Sequence, residues 1–146
     1  MSQFGRPSAD TTIGGYTTQA GGATNLYQTI DEVIASDTDY IRSALAPSSA
    51  AYVTKLSSVE DPISSTGHVV RYRYAKDSAG GSQINLTVQL RQDYVSEGAL
   101  GTQIATWSHT NISEAFTTVA QTLSGTEADT ITDYANLYLR VVATQV

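Results

Sequence analysis

Apolar and polar residues alternate most regularly between Gly67 and Arg91, and this alternation is typical of half-buried β-strands. The apolar face of the first half carries His68, Val70, Tyr72 and Tyr74, and that of the second half carries Ile84, Leu86, Val88 and Leu90. The loop from Lys76 to Gln83 contains the glycines and small polar residues that turns favour. We therefore predict an antiparallel hairpin whose apolar face must be covered by further strands or a second sheet.

Shorter segments separated by turn signals extend this pattern along the chain. We predict strands over 40–41, 51–59, 102–108, 116–123 and 137–142. The residues 26–34 combine helical spacing with β-branched side chains, which indicates a short turn or helical piece. A Ser-x-x-Glu capping box at Ser124 and Glu127 predicts one short helix before the last strand. The fold class that follows is all-β, an antiparallel β-sandwich of jelly-roll or immunoglobulin-like type.

The first 25 residues show neither strand nor helix periodicity and are rich in Gly, Ser, Thr, Ala and Gln. We predict that residues 1–25 form an extended N-terminal arm and that residues 26–146 form the sandwich domain. Ile13 and Tyr16 are the bulky apolar side chains that could anchor the arm, and we expect it to become ordered by lying across a neighbouring molecule.

Composition narrows the function classes. The 146 residues suit one domain with a core of its own, and the chain contains no cysteine, so it has neither a disulfide framework nor a thiol nucleophile. The net charge of −6 argues against binding to nucleic acid or to an anionic membrane surface. The first residues lack the features of a signal peptide, and we expect a protein made in the cytoplasm.

Arginines suggest a partner-binding surface. Arg71, Arg73, Arg91 and Arg140 all fall on outward faces of predicted strands, and the first three share one face of the predicted hairpin. One interpretation is ordinary solvated charge that also protects strand edges from pairing. The other is a docking face for an acidic protein surface, because guanidinium groups pair with carboxylates and are enriched at interfaces.

Candidate catalytic and ligand-binding groups are few. His68 and His109 lie outside any recognisable nucleophile motif, and we expect no enzyme, no catalytic residue and no cofactor. The acidic residues 31, 32, 37 and 39 could offer oxygen ligands to calcium, but their spacing matches no EF-hand and we predict no metal site. Trp107 and surface tyrosines leave carbohydrate binding open.

Several segments resemble small virion structural proteins of tailed bacteriophages and prophages. They are residues 56–62 (LSSVEDP), 65–74 (STGHVVRYRY), 86–91 (LTVQLR), 107–112 (WSHTNI) and 131–140 (ITDYANLYLR), and the similarity extends from Arg6 to Ala143. The resemblance implies a β-sandwich module on the virion that either cements the capsid lattice or forms part of a fibre or tail.

Two functions follow as expectations from this resemblance. The first is a capsid decoration or cement protein on the capsid surface, which binds the major capsid protein and forms homotrimers on local three-fold axes. The alternative is a receptor- or glycan-binding module of a tail or fibre.

Overall fold

A computed structural model describes residues 1–78 and 82–146 of the chain. These residues form nine strands, one 3₁₀ turn and one short α-helix. The strands are β1 (Pro7–Thr12), β2 (Thr17–Thr18), β3 (Ile41–Arg42), β4 (Ser48–Leu56), β5 (Val69–Tyr74), β6 (Ile84–Gln92), β7 (Thr102–His109), β8 (Thr117–Thr122) and β9 (Leu137–Gln145). The 3₁₀ turn spans Leu26–Thr29 and the helix, α1, spans Gly125–Asp129. The predicted all-β class with one short helix before the last strand is confirmed.

One layer of the molecule is a five-stranded antiparallel sheet in the order β1-β4-β9-β6-β7. Its centre is β9, which pairs with β4 on one side and with β6 on the other. Alternate residues of β6 and β9 are apolar, and they form one face of this sheet: Leu86, Val88, Leu90, Leu137, Leu139, Val141 and Ala143. The alternation seen in the sequence therefore marks the face that meets the second layer.

The second layer is smaller and consists of two separate two-stranded pieces, β5–β8 and β2–β3. Val70, Tyr72 and Tyr74 of β5 pack on the apolar face of the large sheet. The hydroxyl of Tyr72 lies 2.8 Å from Nε2 of His109, and that of Tyr74 lies 3.1 Å from Nδ1 of the same ring. Aromatic packing and these hydrogen bonds hold the β5–β8 pair over β6 and the end of β7.

The predicted hairpin between 67 and 91 is wrong in its pairing. Both arms are strands, but β5 pairs with β8, whereas β6 pairs with β7 and β9. The connection carries the chain from one layer to the other, so the two apolar faces meet across the core instead of lying side by side. Part of the predicted turn, residues 79–81, lies outside the described residues. Alternation identifies a strand and its buried face but leaves its partner unspecified.

The first 25 residues also differ from the expected arm. Residues 7–12 form β1, which pairs with β4 at one edge of the large sheet. Tyr16 is only 5% exposed and packs against Tyr52 and Leu26, and Ile13 contacts the same cluster. This segment is therefore ordered by its own domain. Two register irregularities in β1 break the alternation that would have revealed it in the sequence.

Asp10 of β1 joins this segment to the 3₁₀ turn. Its carboxylate accepts hydrogen bonds from the backbone N–H groups of Leu26 (2.7 Å) and Tyr27 (2.8 Å) and from the hydroxyl of Tyr52 (2.8 Å). Burial, together with this hydrogen bond to Asp10, raises the pKa of Tyr52 well above its ordinary value. The hydroxyl is therefore a permanent donor that fixes the carboxylate beneath the turn.

The helix α1 begins as predicted. The Ser124 hydroxyl accepts from the backbone N–H of Glu127 at 3.2 Å, and the Glu127 carboxylate accepts from the Ser124 N–H at 2.7 Å. This reciprocal cap satisfies two backbone groups that a helix end otherwise leaves free. Ala128 and Ile131 then enter the core beside Leu90 and Ile104.

Candidate interaction surface

A long cleft separates the two pieces of the second layer and exposes part of the large sheet. Its floor is formed by side chains of β4, β6 and β9, its one wall by β5, and its other wall by residues 1–7 and 39–47. The volume is about 2240 Å³. A site for a small molecule encloses roughly 300–1,000 Å³, so this cleft is larger than such a site.

The wall formed by β5 is a strand edge. Residues 66–78 line the cleft without a break, whereas β8 contributes only Thr118. Among the described strands β5 pairs only with β8, so the backbone groups along its other edge have no strand partner. A free edge of this kind is available to an added extended segment.

Exposed apolar side chains surround the same cleft. Met1, Phe4, Val33, Leu45 and Val69 are all large hydrophobic residues that are solvent-exposed, and all of them line it. Isolated surface hydrophobic residues are ordinary, but several around one groove indicate a protein interaction site.

The cationic side chains give a second indication. In the part of the chain that the structure describes, which includes all eight Lys and Arg residues, six make a hydrogen bond, an ion pair or a cation–π contact. The two that make none are Arg42 and Arg71. Both are exposed and both line the cleft. On an acidic chain, two unpaired guanidinium groups beside an apolar groove favour a partner that carries carboxylates.

A contact between Arg73 and Asp37 joins two of the segments that line the cleft. The guanidinium donates to both carboxylate oxygens, with Nε–Oδ1 at 2.5 Å and Nη2–Oδ2 at 2.7 Å. This hydrogen bonding holds the pKa of Asp37 below its ordinary value. Arg73 also lies over the ring of Phe116, which in turn contacts Tyr40. The loop 35–40 is thereby attached to the β5–β8 pair across the gap.

The predicted stripe of arginines is not formed. Arg71 and Arg73 lie on the outer face of the β5–β8 pair, but Arg91 lies on the opposite face of the large sheet. Arg91 is only 7% exposed and donates to Gln89, to Gln103 and to the carbonyl of Leu100. Burial lowers the pKa of Arg91. The prediction placed it on the surface because its neighbours in β6 alternate regularly, and the loop 93–101 that covers it gave no signal.

Arg140 forms an ion pair with Glu97 of the same chain. Its guanidinium donates to Glu97 with Nε–Oε1 at 2.9 Å and Nη2–Oε2 at 2.5 Å, and to Gln89 at 3.3 Å. This contact depresses the pKa of Glu97, whose carboxylate also accepts a hydrogen bond from Tyr94 at 2.8 Å. Arg140 therefore fastens the loop 93–101 to the large sheet. Of the six residues that the sequence predicted for partner binding, Arg71 is the one that is exposed and unpaired.

Both histidines contact tyrosine hydroxyls, and the acidic loop contains a carboxyl group with a raised pKa. His109 contacts the two tyrosines named above, and Nε2 of His68 lies 2.8 Å from the hydroxyl of Tyr134. Burial raises the pKa of Glu32, and the neighbouring carboxyl of Asp39 acts in the same direction. Within residues 1–78 and 82–146 no group of three or more His, Cys, Asp and Glu side chains is close enough to hold a metal ion.

Sequence reasoning missed the residues that border the cleft. Arg42 lies in a two-residue strand, and Phe4 and Leu45 lie outside any periodic segment. Their only signal was a large apolar or charged side chain among small polar neighbours. These residues lie close together because β1 and the 30–47 segment fold onto β4. No local sequence pattern encodes that arrangement.

No helix in the described part of the chain is long and apolar enough to cross a membrane. Comparison with protein-family models, with curated proteins and with solved structures gives no match to this chain.

Proposed function

We propose that this protein is a structural component of a tailed-phage virion, a decoration protein that stabilises the head by binding the lattice of the major capsid protein. The sequence resemblance to virion structural proteins supports the placement of this protein on a phage particle. The observation that carries a binding role is the open apolar cleft with its free strand edge and its two unpaired arginines, Arg42 and Arg71. A surface of this kind stabilises a shell by mass action, because it binds the assembled lattice more tightly than separate subunits.

The alternative is a receptor- or glycan-binding module of a tail or fibre. The lone tryptophan, Trp107, is the natural stacking surface for a sugar. It is half-buried, however, and packs between the layers with its ring centroid 6.2 Å from that of Tyr72. The cleft therefore favours protein binding over carbohydrate binding.

Counting copies on purified particles tests the assignment. Quantitative mass spectrometry of particles from the encoding phage should find the protein in numbers comparable with those of the capsid lattice sites. A few copies per particle, together with loss of host adsorption on gene deletion, would support the tail or fibre instead.

Add-back of purified protein tests the surface. Particles made without the protein should release DNA at a lower temperature, and the wild-type protein should restore the resistance. Arg71→Gln should restore it less well, whereas Ser108→Glu, an equal change of charge on an exposed residue of β7, should restore it fully. Equal restoration by both variants would contradict a role for the cleft.

A further inference from the structure

The second layer of the sandwich is interrupted beside β5. This strand pairs with β8 along one edge, and among the described strands none pairs with its other edge, which lines the cleft. Across the cleft, β3 pairs only with β2 in the described part of the chain, and both residues of β3 line the cleft. The two pieces of the layer are therefore separated where a continuous sheet would carry a further strand.

The register of β5 on β8 determines which backbone groups face the cleft. The N–H of Leu123 donates to the carbonyl of His68 at 3.0 Å, so these two residues form a hydrogen-bonded antiparallel pair. Such pairs alternate along an antiparallel ladder, and the same register bonds Val70 and Tyr72 to β8. The N–H and C=O groups of Arg71, which lies between them, point to the free edge, where an added strand can bond them.

The side chains of β5 and of the floor specify the chemistry of such a strand. Val70 and Tyr72 point inward onto the large sheet, whereas Arg71 points outward and is exposed. Leu139 and Val141 of the floor are only half-buried, so inward side chains of an added strand would cover aliphatic surface. Its outward side chains would lie beside Arg71. The matching strand has aliphatic residues on one face and carboxylates on the other.

The opposite wall of the cleft carries the same positive charge. Ile41 of β3 packs on the cluster of Tyr16 and Tyr52, so Arg42, the next residue, faces outward. Within residues 1–78 and 82–146 neither Arg42 nor Arg71 makes a hydrogen bond or an ion pair. On a chain of net charge −6, two such guanidinium groups on facing walls of one cleft attract carboxylates locally.

We propose that the cleft receives an extended segment of a partner protein in which aliphatic side chains alternate with carboxylates. The segment adds to β5 as a further strand, with its aliphatic side chains on the floor and its carboxylates beside Arg42 and Arg71. The six residues of β5 span about 20 Å, so the segment is about six residues long. The inference deepens the proposed function and rests on it only for the identity of the partner, the major capsid protein.

Segments of this chain that border the cleft match it less well. Residues 1–6 contain no acidic side chain. Asp31 and Glu32 are half-buried in their own chain. The exposed acidic segment 60–63 is interrupted by Pro62, which has no N–H to donate to a ladder. A different protein is therefore the source that fits the cleft.

Amide hydrogen exchange, measured by NMR on the purified full chain, tests the strand addition. The probe is a capped peptide of about eight residues that alternates valine with glutamate. Its control has the same composition, with the valines and the glutamates in two blocks. A Kd of about 0.1 mM would slow exchange of the Arg71 amide about tenfold at about 1 mM peptide, because only the free protein exchanges.

The pattern along β5 makes the result specific. The amides of Val70 and Tyr72, already bonded to β8, should change less than that of Arg71. The block peptide should leave the Arg71 amide unprotected. Absence of protection at Arg71 by the alternating peptide, or equal protection by both peptides, would overturn the proposal.

Variants test the assigned charges. Arg42→Gln with Arg71→Gln should weaken binding of the alternating valine–glutamate peptide at least about fivefold. Thr106→Glu with Ser108→Glu lowers the net charge equally on exposed residues of β7 and should bind like the wild type. Arg42→Glu with Arg71→Glu should instead prefer a peptide that alternates valine with lysine. Unchanged binding by the glutamine variant, with circular dichroism showing an intact β fold, would refute the role of the arginines.

Exchange at several protein concentrations without peptide separates this occupant from a second copy of the chain. We expect the Arg71 amide to exchange at the same rate throughout. Protection that grows with protein concentration would show that a second copy fills the cleft, and would overturn the proposal. Add-back to particles tests the proposed function, whereas the peptide measurements use purified protein alone, so either result can fail without the other.

Discussion

Gln92 at the end of β6 offers the most direct test of how the large sheet is joined to the connection before β9. Its side chain is 4% exposed, and its amide group both accepts and donates hydrogen bonds as a backbone peptide group does. Oε1 accepts from the N–H groups of Thr132 at 2.8 Å and Asp133 at 2.9 Å, and Nε2 donates to the Thr132 hydroxyl at 2.8 Å. Nε2 also donates to the Asp93 carboxylate at 3.3 Å. Replacing this residue by methionine, Gln92→Met, keeps the volume and removes all four bonds.

The expected loss of stability follows from the hydrogen-bond donors that lose their acceptor. Each buried donor that loses its partner costs about 1–3 kcal/mol, and two backbone N–H groups lose theirs. Thr132 is exposed, so water replaces part of the loss. We therefore expect Gln92→Met to lower the free energy of unfolding by about 2–4 kcal/mol. For a chain of this length that corresponds to a fall in Tm of roughly 10 °C.

Urea denaturation followed by far-ultraviolet circular dichroism measures the change, with Gln145→Met as the control. Gln145 is exposed and its side chain makes no hydrogen bond among the described residues, so its replacement should alter stability by less than about 0.5 kcal/mol. If Gln92→Met lowered the free energy of unfolding no more than the control does, the Gln92 side chain would not stabilise the connection before β9, and the reasoning would be refuted.

Three further predictions concern other junctions. Gly14→Ala should lower the free energy of unfolding by about 3 kcal/mol, because φ of Gly14 is +58° and the added Cβ would lie 1.9 Å from a carbonyl oxygen of β4. Gly15→Ala, whose added Cβ would meet open space, should lower it by about 1 kcal/mol. Asp10→Ala should lower the free energy of unfolding by about 2–4 kcal/mol in urea titrations, since it removes the acceptor of three hydrogen bonds; an unchanged midpoint would contradict this. The depressed pKa of Glu97 means that its contact with Arg140 contributes stability above the unfolded carboxyl pKa and loses it as the pH falls. Glu97→Gln should therefore be destabilising at about pH 6 and nearly neutral at about pH 3, and a constant difference across this range would argue against the contact.

The strands and the helix cap could be predicted because their signals are local. Leu86, Val88 and Leu90 alternate with polar residues, and Ser124 stands three positions before Glu127, so each pattern is complete within a few residues. The partner of β5 could not be predicted in this way. Its apolar face satisfies the alternation equally well beside β6 or above it, and only the packing of Tyr72 and Tyr74 on the large sheet decides between them.

The candidate site was predicted only in part. Arg71 was expected on the surface and is there, but the same reasoning placed Arg91 beside it, where a loop now buries the guanidinium. Arg42 carried no pattern at all. Surface residues from distant segments come together through tertiary structure, so their grouping around the cleft is a property of the whole fold.

The position of β9 constrains how the molecule can be made. This strand lies between β4 and β6, yet it follows both of them, and every other strand, along the chain. During synthesis the sheet stays divided into two unconnected parts until β9 leaves the ribosome, so the apolar faces of both parts remain uncovered until this strand is made. A nascent chain of this design depends on rapid completion, or on protection by chaperones, to avoid pairing its open edges with those of its neighbours on a polysome.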